Sequence, residues 1–256
     1  MIDMPLTRQD IKALRGDLSP FLIHLTRGGN YREWADLHNR PQNNNVTLNA
    51  KQSLLDIIQG SEIEARSPFG YFNFKVPFNG ANRNSRVNRS WLLSVCFTET
   101  PVDHIYVQCE VIQGRQLPFE PYGLAFFEAA VRSRNGNPVL YFDSSNQQIR
   151  NSLDTITTLP NCQSFSSMMP LYESFGPALY GRGTTHIDFR WEREWRVRGN
   201  FNFNLGQDVA FGICPEDEIA FFEQQVNSAF PFIDPRKPTG LLRLKLRQHP
   251  PLAGLI

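Results

Sequence analysis

One stretch limits the folds open to this chain more than any other: FRWEREWRVRG, residues 189–199. Large apolar and charged side chains alternate along it with a period of two, which suits a half-buried β-strand and not a helix. Read as a strand, it puts Phe189, Trp191, Trp195 and Val197 on one face, with Arg193 snorkelling or stacked among them. Arg190, Glu192, Glu194, Arg196 and Arg198 share the other face. Such a strand requires a sheet with a core on one side. On the polar face Glu192 and Glu194 stand about 7 Å apart by Cα. Two readings are open for them: a solvated charge ladder neutralised by Arg190 and Arg196, or a pair of carboxylates set for catalysis.

The remaining segments interleave strand and helix patterns. FLIHLT (21–26), WLLSVCFTET (91–100, closed by Pro101), NPVLYFD (137–143) and DVAFGIC (208–214) read as strands, and GLLRLKLRQ (240–248) alternates like an edge strand. Helices are expected over 7–15 with Thr7 as N-cap, over 50–60 ending at Gly60 as the C′ residue, over 145–159, and over 215–230 with Pro215 near its start. Segment 123–136 begins extended and turns helical, while 39–49 and the basic, Asn-rich 82–90 read as loops. There is no regular βαβ rhythm and no G-x-G-x-x-G loop, which points to an α+β fold. The chain of 256 residues is long enough to bury one large core. No boundary divides it, so a single domain over 1–256 is expected.

The charge balance is close to neutral, +1 by formal count, so it does not by itself advertise a nucleic-acid or membrane partner. No run of about 18 apolar residues is present, and the N-terminal residues do not read as a secretory signal. Cys96, Cys109, Cys162 and Cys214 are far apart with no C-x-x-C pair, which suits buried thiols in a reducing cytoplasm better than a zinc site. His24 stands inside an apolar run, as a satisfied core residue or as a ligand-binding one. His186 and Asp188 with a glutamate match no established metal spacing. A metal-dependent nuclease using Asp188, Glu192 and Glu194 is a third reading. No G-x-S-x-G elbow or P-loop supports the common hydrolase and NTPase routes.

Taken in order, HLT (24–26), SLLDIIQG (53–60), SEIEA (61–65), SVCFTETP (94–101) and the E-x-E-W-R strand resemble the abortive-phage-resistance family AbiGi. More distantly, they are similar to DarT-type ADP-ribosyltransferases. The resemblance runs from residue 20 to residue 215 and implies an ADP-ribosyltransferase-like pair of twisted sheets flanked by helices. It also implies NAD as a substrate held in the cleft between them, with no metal. On that resemblance His24 binds the nicotinamide-ribose hydroxyls, backbone groups of Leu25 hold the carboxamide, and Thr26 lines the adenosine side. Glu194 is the catalytic glutamate and Glu192 orients the acceptor. Tyr71, Phe72 or Phe97 walls the nicotinamide. An arginine ahead of the central strand is drawn from Arg83, Arg86 and Arg89, of which Arg89 is nearest the strand. The chemistry suits carboxylates: breaking the ribose–nicotinamide bond develops positive charge on the sugar, as in glycoside hydrolysis. A second carboxylate can steer or deprotonate the acceptor.

The implied protein is a cytoplasmic toxin or effector of anti-phage defence. It transfers ADP-ribose to a nucleic acid or protein and is accompanied by a cognate antitoxin or defence partner. Arg196, Arg198 and the basic loop would suit phosphate contacts. The alternative is a non-catalytic, antitoxin-like binding module that retains the fold. The inserted segment 28–45, between His24 and the first helix, departs from the family pattern.

Overall fold

The run FLIHLTR forms β1 (Phe21–Arg27), the spine of a mixed sheet. The computed structural model describes residues 18–30, 47–65, 67–68, 70–75, 87–110, 119–177 and 186–256. The expected helix over 7–15, most of loop 39–49, and Arg83 and Arg86 fall outside those residues.

Beside β1 lie β2 (Leu93–Thr98) and β3 (Phe119–Phe127), both antiparallel to it. The sheet is extended on the β2 side by β7 (Glu194–Arg198) and the short β4 (Asn137–Pro138). On the β3 side it is extended by β8 (Val209–Ile213) and β9 (Phe232–Ile233), the last pairing parallel. Alternation along β1 feeds two cores. Phe21, Ile23 and Leu25 pack with Phe211, Ile213 and Leu246 on one face. Leu22 packs with Leu54, Ile58, Phe97, Phe126 and Trp195 on the other. Each such side chain contributes about 1.5–3 kcal/mol by leaving water.

The second face is covered by α1 (Ala50–Gly60). Its N-cap is Asn49, whose side chain accepts from the Gln52 N–H, and Ala50, Leu54 and Ile58 form its buried stripe at four-residue spacing. Gly60 is still helical, and the left-handed residue that ends the helix is Ser61 (φ 50°). The backbone approaches closely at Gly123, which pairs with Leu25 beside the site. A Cβ there would lie 2.3 Å from the His24 carbonyl oxygen, so only glycine lets β3 seat against β1 at that level.

A smaller sheet is built from β5 (Leu140–Asp143) and β6 (Tyr172–Pro177), paired parallel, with His186–Ile187 on its edge. Near it α3 (Gln147–Thr158), which follows α2 (Glu128–Arg132), buries Leu153 in a third cluster with Tyr71, Phe72 and Phe142. The molecule is therefore α+β: a large mixed sheet flanked by helices, with a small sheet alongside.

Three expectations are corrected. Residues 240–248 are not an edge strand: α5 (Thr239–Arg247), which follows α4 (Ile219–Gln225), occupies them. Leu242 and Leu246 fit both periods, and the helix wins by burying that pair while leaving Leu241 and Leu244 exposed. Segment 137–143 breaks at Val139 into β4 and β5, which belong to different sheets. Most consequentially, 189–198 is not one strand. Residues Arg190–Glu192 form a 3-10 turn, Arg193 is left-handed (φ 48°), and only Glu194–Arg198 is extended. The reason lies in the partner: β2 ends at Thr98, just before Pro101, so Glu194↔Thr98 is the last pair available. Glu99 locks the corner. Its N–H donates to the Arg193 carbonyl at 3.2 Å, and its carboxylate accepts from Trp195 Nε1 at 3.1 Å and pairs with Arg193.

Candidate active site

β1 and β2 meet at a single register pair, Ile23↔Thr98, and then separate. Among the described residues, the edge of β2 that faces β1 is taken up again only at Leu93–Ser94, by Ser67–Pro68. A bulge at Leu25–Arg27 bends β1 against β3 at the same level. The result is a cavity of about 340 Å³ between the separated strands, lined by residues 23–27, residues 94–98, one side of α1 with the segment after it, and both Glu192 and Glu194. This is at the small end of the range for ligand pockets, about 300–1,000 Å³.

His24 spans the gap. Its Nδ1 lies 2.8 Å from the Cys96 carbonyl oxygen, and its ring meets Phe97 edge-on at 5.9 Å. A carbonyl only accepts, so Nδ1 carries the hydrogen and Nε2 is left as a lone-pair acceptor. Burial pulls the imidazole pKa down to about 4, outweighing the bond to Cys96, and Arg27 adds to the effect. His24 is therefore neutral at pH 7. The unfolded chain takes up this proton near pH 6.5 and the folded one only near pH 4, so the protein loses stability as pH falls through that window. The loss tied to His24 is on the order of 3 kcal/mol. Urea unfolding of wild type and His24→Gln between pH 4 and 7 is expected to show the two curves converging toward pH 4, with the wild type flat above pH 6.5.

On the opposite side, Glu194 is 14 % exposed and gripped by Arg196, which is 2 % exposed. Arg196 Nε donates to Glu194 Oε1 at 3.0 Å and Nη2 to Oε2 at 2.7 Å. The same guanidinium donates to Glu173 Oε2 at 2.8 Å and to the Pro170 carbonyl at 2.5 Å. Burial works against its charge, but Glu194 and Glu173 outweigh that and hold Arg196 protonated well above its ordinary range. Burial pushes the Glu173 carboxyl up even with Arg196 beside it. Cys96, opposite Arg196 in the register, is pushed well up by burial and then by the charge of Glu194. Around Glu194 and Arg196 the polar face of β7 is thus a buried ion-pair cluster, and only Arg198 at its end is exposed. Arg190 does not neutralise Glu192 either: its guanidinium is forked onto Asp188 at 2.9 and 2.7 Å.

Glu192 reaches the cavity from the turn, not from the strand. Its carbonyl accepts from the Thr98 hydroxyl, which contacts Thr100 Oγ1, which in turn accepts from Gln108 Nε2. Of the residues singled out from sequence, His24, Leu25, Thr26, Phe97, Glu192 and Glu194 line one cavity. Thr26 is only partly available, because its hydroxyl lies 2.9 Å from the Ala50 carbonyl oxygen and 3.0 Å from that of Tyr122. Tyr71 and Phe72 are not at the cavity. Both are fully buried in the third cluster, with Tyr71 Oη donating to Asp154. Arg89 opens the 3-10 turn Arg89–Leu92 that leads into β2. Sequence reasoning missed Glu173 and the burial of Arg196. It also missed Arg27 and the carboxylates of Asp56, Glu62 and Glu64 around the cavity.

The chain matches no family model, and no curated protein or solved structure matches it. Among the described residues, no group of three or more His, Cys, Asp and Glu stands together as a metal site. No helix among them is long and apolar enough to cross a membrane.

Proposed function

We propose that this protein is an NAD-dependent ADP-ribosyltransferase of the reducing cytoplasm, with an ADP-ribosyltransferase-like fold, acting as a toxin or effector in anti-phage defence. The observation that carries this reading is that His24, on β1, and Glu194 and Glu192, at and before β7, line one cavity where the sheet divides. A cavity of this size takes the nicotinamide-ribose end of NAD and leaves the rest of the dinucleotide outside. His24 Nε2 accepts from a ribose hydroxyl, and the apolar edge of Phe97 borders the ring. Glu194 faces the sugar carbon on which positive charge develops as the bond to nicotinamide breaks. Arg196 fixes the orientation of that carboxylate. Glu192, on its turn, stands where an acceptor enters.

A second reading has one observation in its favour. Both oxygens of Glu194 are already held by Arg196, which suits a binding module, antitoxin-like, that keeps the fold without turnover. Incubation with NAD labelled in its adenylate half, in a cell lysate, separates the two. The transferase reading expects nicotinamide release and transfer of label to a macromolecule, both lost in Glu194→Gln. Absence of nicotinamide release from wild type would favour the binding module, and label transfer that survives Glu194→Gln would remove Glu194 from the chemistry.

A further inference from the structure

His24 and Glu194 line one cavity, yet their side chains belong to opposite faces of the sheet. Residues paired across neighbouring strands point to the same face, and neighbours along a strand point to opposite faces. His24 pairs with Leu124 and its ring meets Phe97, both members of the core under α1. Glu194 pairs with Thr98, and Thr98 pairs with Ile23, which packs into the other core with Phe211 and Leu246. Cys96, opposite Arg196, shares that second face. So does the turn that carries Glu192, whose carbonyl accepts from the Thr98 hydroxyl.

A closed sheet would keep the two faces apart. Continuing the register from Ile23↔Thr98 would set Leu25 opposite Cys96, but no such pair forms. The His24 imidazole donates to the Cys96 carbonyl in place of a β1 backbone N–H. The cavity takes its lining from both sides of this gap, Ser53, Ile57 and Phe97 on the α1 side and Thr98, Gln108 and Glu192 on the other. We propose that the cavity passes through the sheet and that the two substrates of the transfer enter it from opposite faces. The nicotinamide-ribose end of NAD enters from the α1 face, and the acceptor from the face of Glu192. The passage stands on register and lining; the assignment of substrates to its two ends rests on the transferase reading above. The arrangement suits an in-line displacement, in which the nucleophile reaches C1′ on the side of the sugar away from the leaving group. A sugar held in the gap presents those two sides to the two faces. A lone pair on the acceptor's oxygen or nitrogen forms the bond to C1′ as the C1′–nicotinamide bond breaks. The electron pair of that bond leaves with the ring as neutral nicotinamide. The acceptor's proton passes to Glu192 and on to water.

The test uses Ser53→Trp, which narrows the α1 end, Thr98→Trp, which narrows the other, and the two combined. Circular dichroism checks folding, as does the protection of the buried thiols of Cys162 and Cys214 from iodoacetamide. Where tryptophan fails that check, Ser53→Leu and Thr98→Leu take its place. In the first arm, which needs no NAD, Cys96 reports on the passage because it lines the cavity. Its alkylation at alkaline pH, followed by mass spectrometry, is expected to stay within about threefold of wild type in each single variant and to fall about tenfold or more in the double. An unreactive Cys96 in wild type, a single variant that stops alkylation, or a double variant that reacts like wild type overturns the passage. In the second arm, NAD labelled in its adenylate half is supplied in a cell lysate. Ser53→Trp is expected to lose nicotinamide release and label transfer together. Thr98→Trp is expected to go on releasing nicotinamide, with water as the acceptor, while label transfer to macromolecules falls about tenfold or more. The same ratio of transfer to release in both variants, or the reverse pattern, overturns the assignment of the two ends. No nicotinamide release from wild type would sink the NAD reading and the assignment of ends with it, and the passage would then be decided by Cys96.

Discussion

Arg196→Met is expected to lower the free energy of unfolding by about 3–5 kcal/mol, the usual cost of removing one partner from a buried ion pair. The guanidinium is 2 % exposed and satisfies three groups: Glu194, Glu173 and the Pro170 carbonyl. Without it two carboxylates face each other in a site where burial already pushes Glu173 up. Methionine fills the volume, so the loss measures the uncompensated acids more than a cavity. Glu173→Gln in the Arg196→Met background is therefore expected to recover part of the stability, although Glu173→Gln alone costs some. A double-mutant cycle in urea, with unchanged m-values, reads this directly. Arg196→Lys is expected to rescue only partly, since an ammonium cannot fork onto both oxygens of Glu194 and still reach Glu173. Additive losses in the cycle would mean that the cluster is not coupled as its distances indicate.

Glu194→Gln is expected to reduce nicotinamide release by about 10²–10³-fold, the effect of removing one electrostatic stabiliser from a preorganised site. On the transferase proposal the carboxylate acts on charge that develops only in the transition state, so the fall should appear equally in kcat and kcat/KM. The variant also turns an acceptor toward the Arg196 donors into a partial donor, with a stability cost of about 1–3 kcal/mol. The kinetic comparison must therefore be made well below the midpoint of thermal unfolding. A fall confined to KM would reassign Glu194 to substrate binding.

What could be read from the sequence depended on the range of the interactions that decide it. The apolar run of β1, the capped amphipathic helix α1 and strand β2 ahead of Pro101 are local patterns, and the structure has them where the pattern puts them. The segment 189–193 is different. It alternates as well as any strand does, but β2 has no residue left to pair with it, and that depends on a segment about a hundred positions earlier. The same holds for Arg196. Alternation placed it on the polar face with Glu194, and its burial comes from Pro170 and Glu173, 26 and 23 residues upstream. Residues 240–248 failed for another reason: Leu242, Leu244 and Leu246 satisfy a period of two, while Leu242 and Leu246 alone satisfy a helix. The packing partners that decide between them, Phe211 and Ile213 among others, are remote in sequence.

At the site, the convergence of His24 with Glu194 was anticipated by motif order, and the manner of it was not. The two belong to strands that never pair with each other: β2 stands between β1 and β7, and the cavity exists because β1 leaves β2 after one register pair. A hydrogen bond from His24 to Cys96 on that middle strand sets the imidazole tautomer. Cys96 also pairs with Arg196 across the strands, so a single residue of β2 stands between the His24 side and the Glu194–Arg196 side of the cavity.

The most direct test of the central claim is to locate NAD on the protein. Amide NMR of the isotopically labelled Glu194→Gln variant, in which turnover is expected to be slow enough to observe the complex, is recorded during titration with NAD. The account predicts the largest shifts in Ile23–Arg27 and Ser94–Thr98, reproduced by nicotinamide riboside alone and diminished in a His24→Phe background. Saturable shifts centred elsewhere, or none at all, would contradict it.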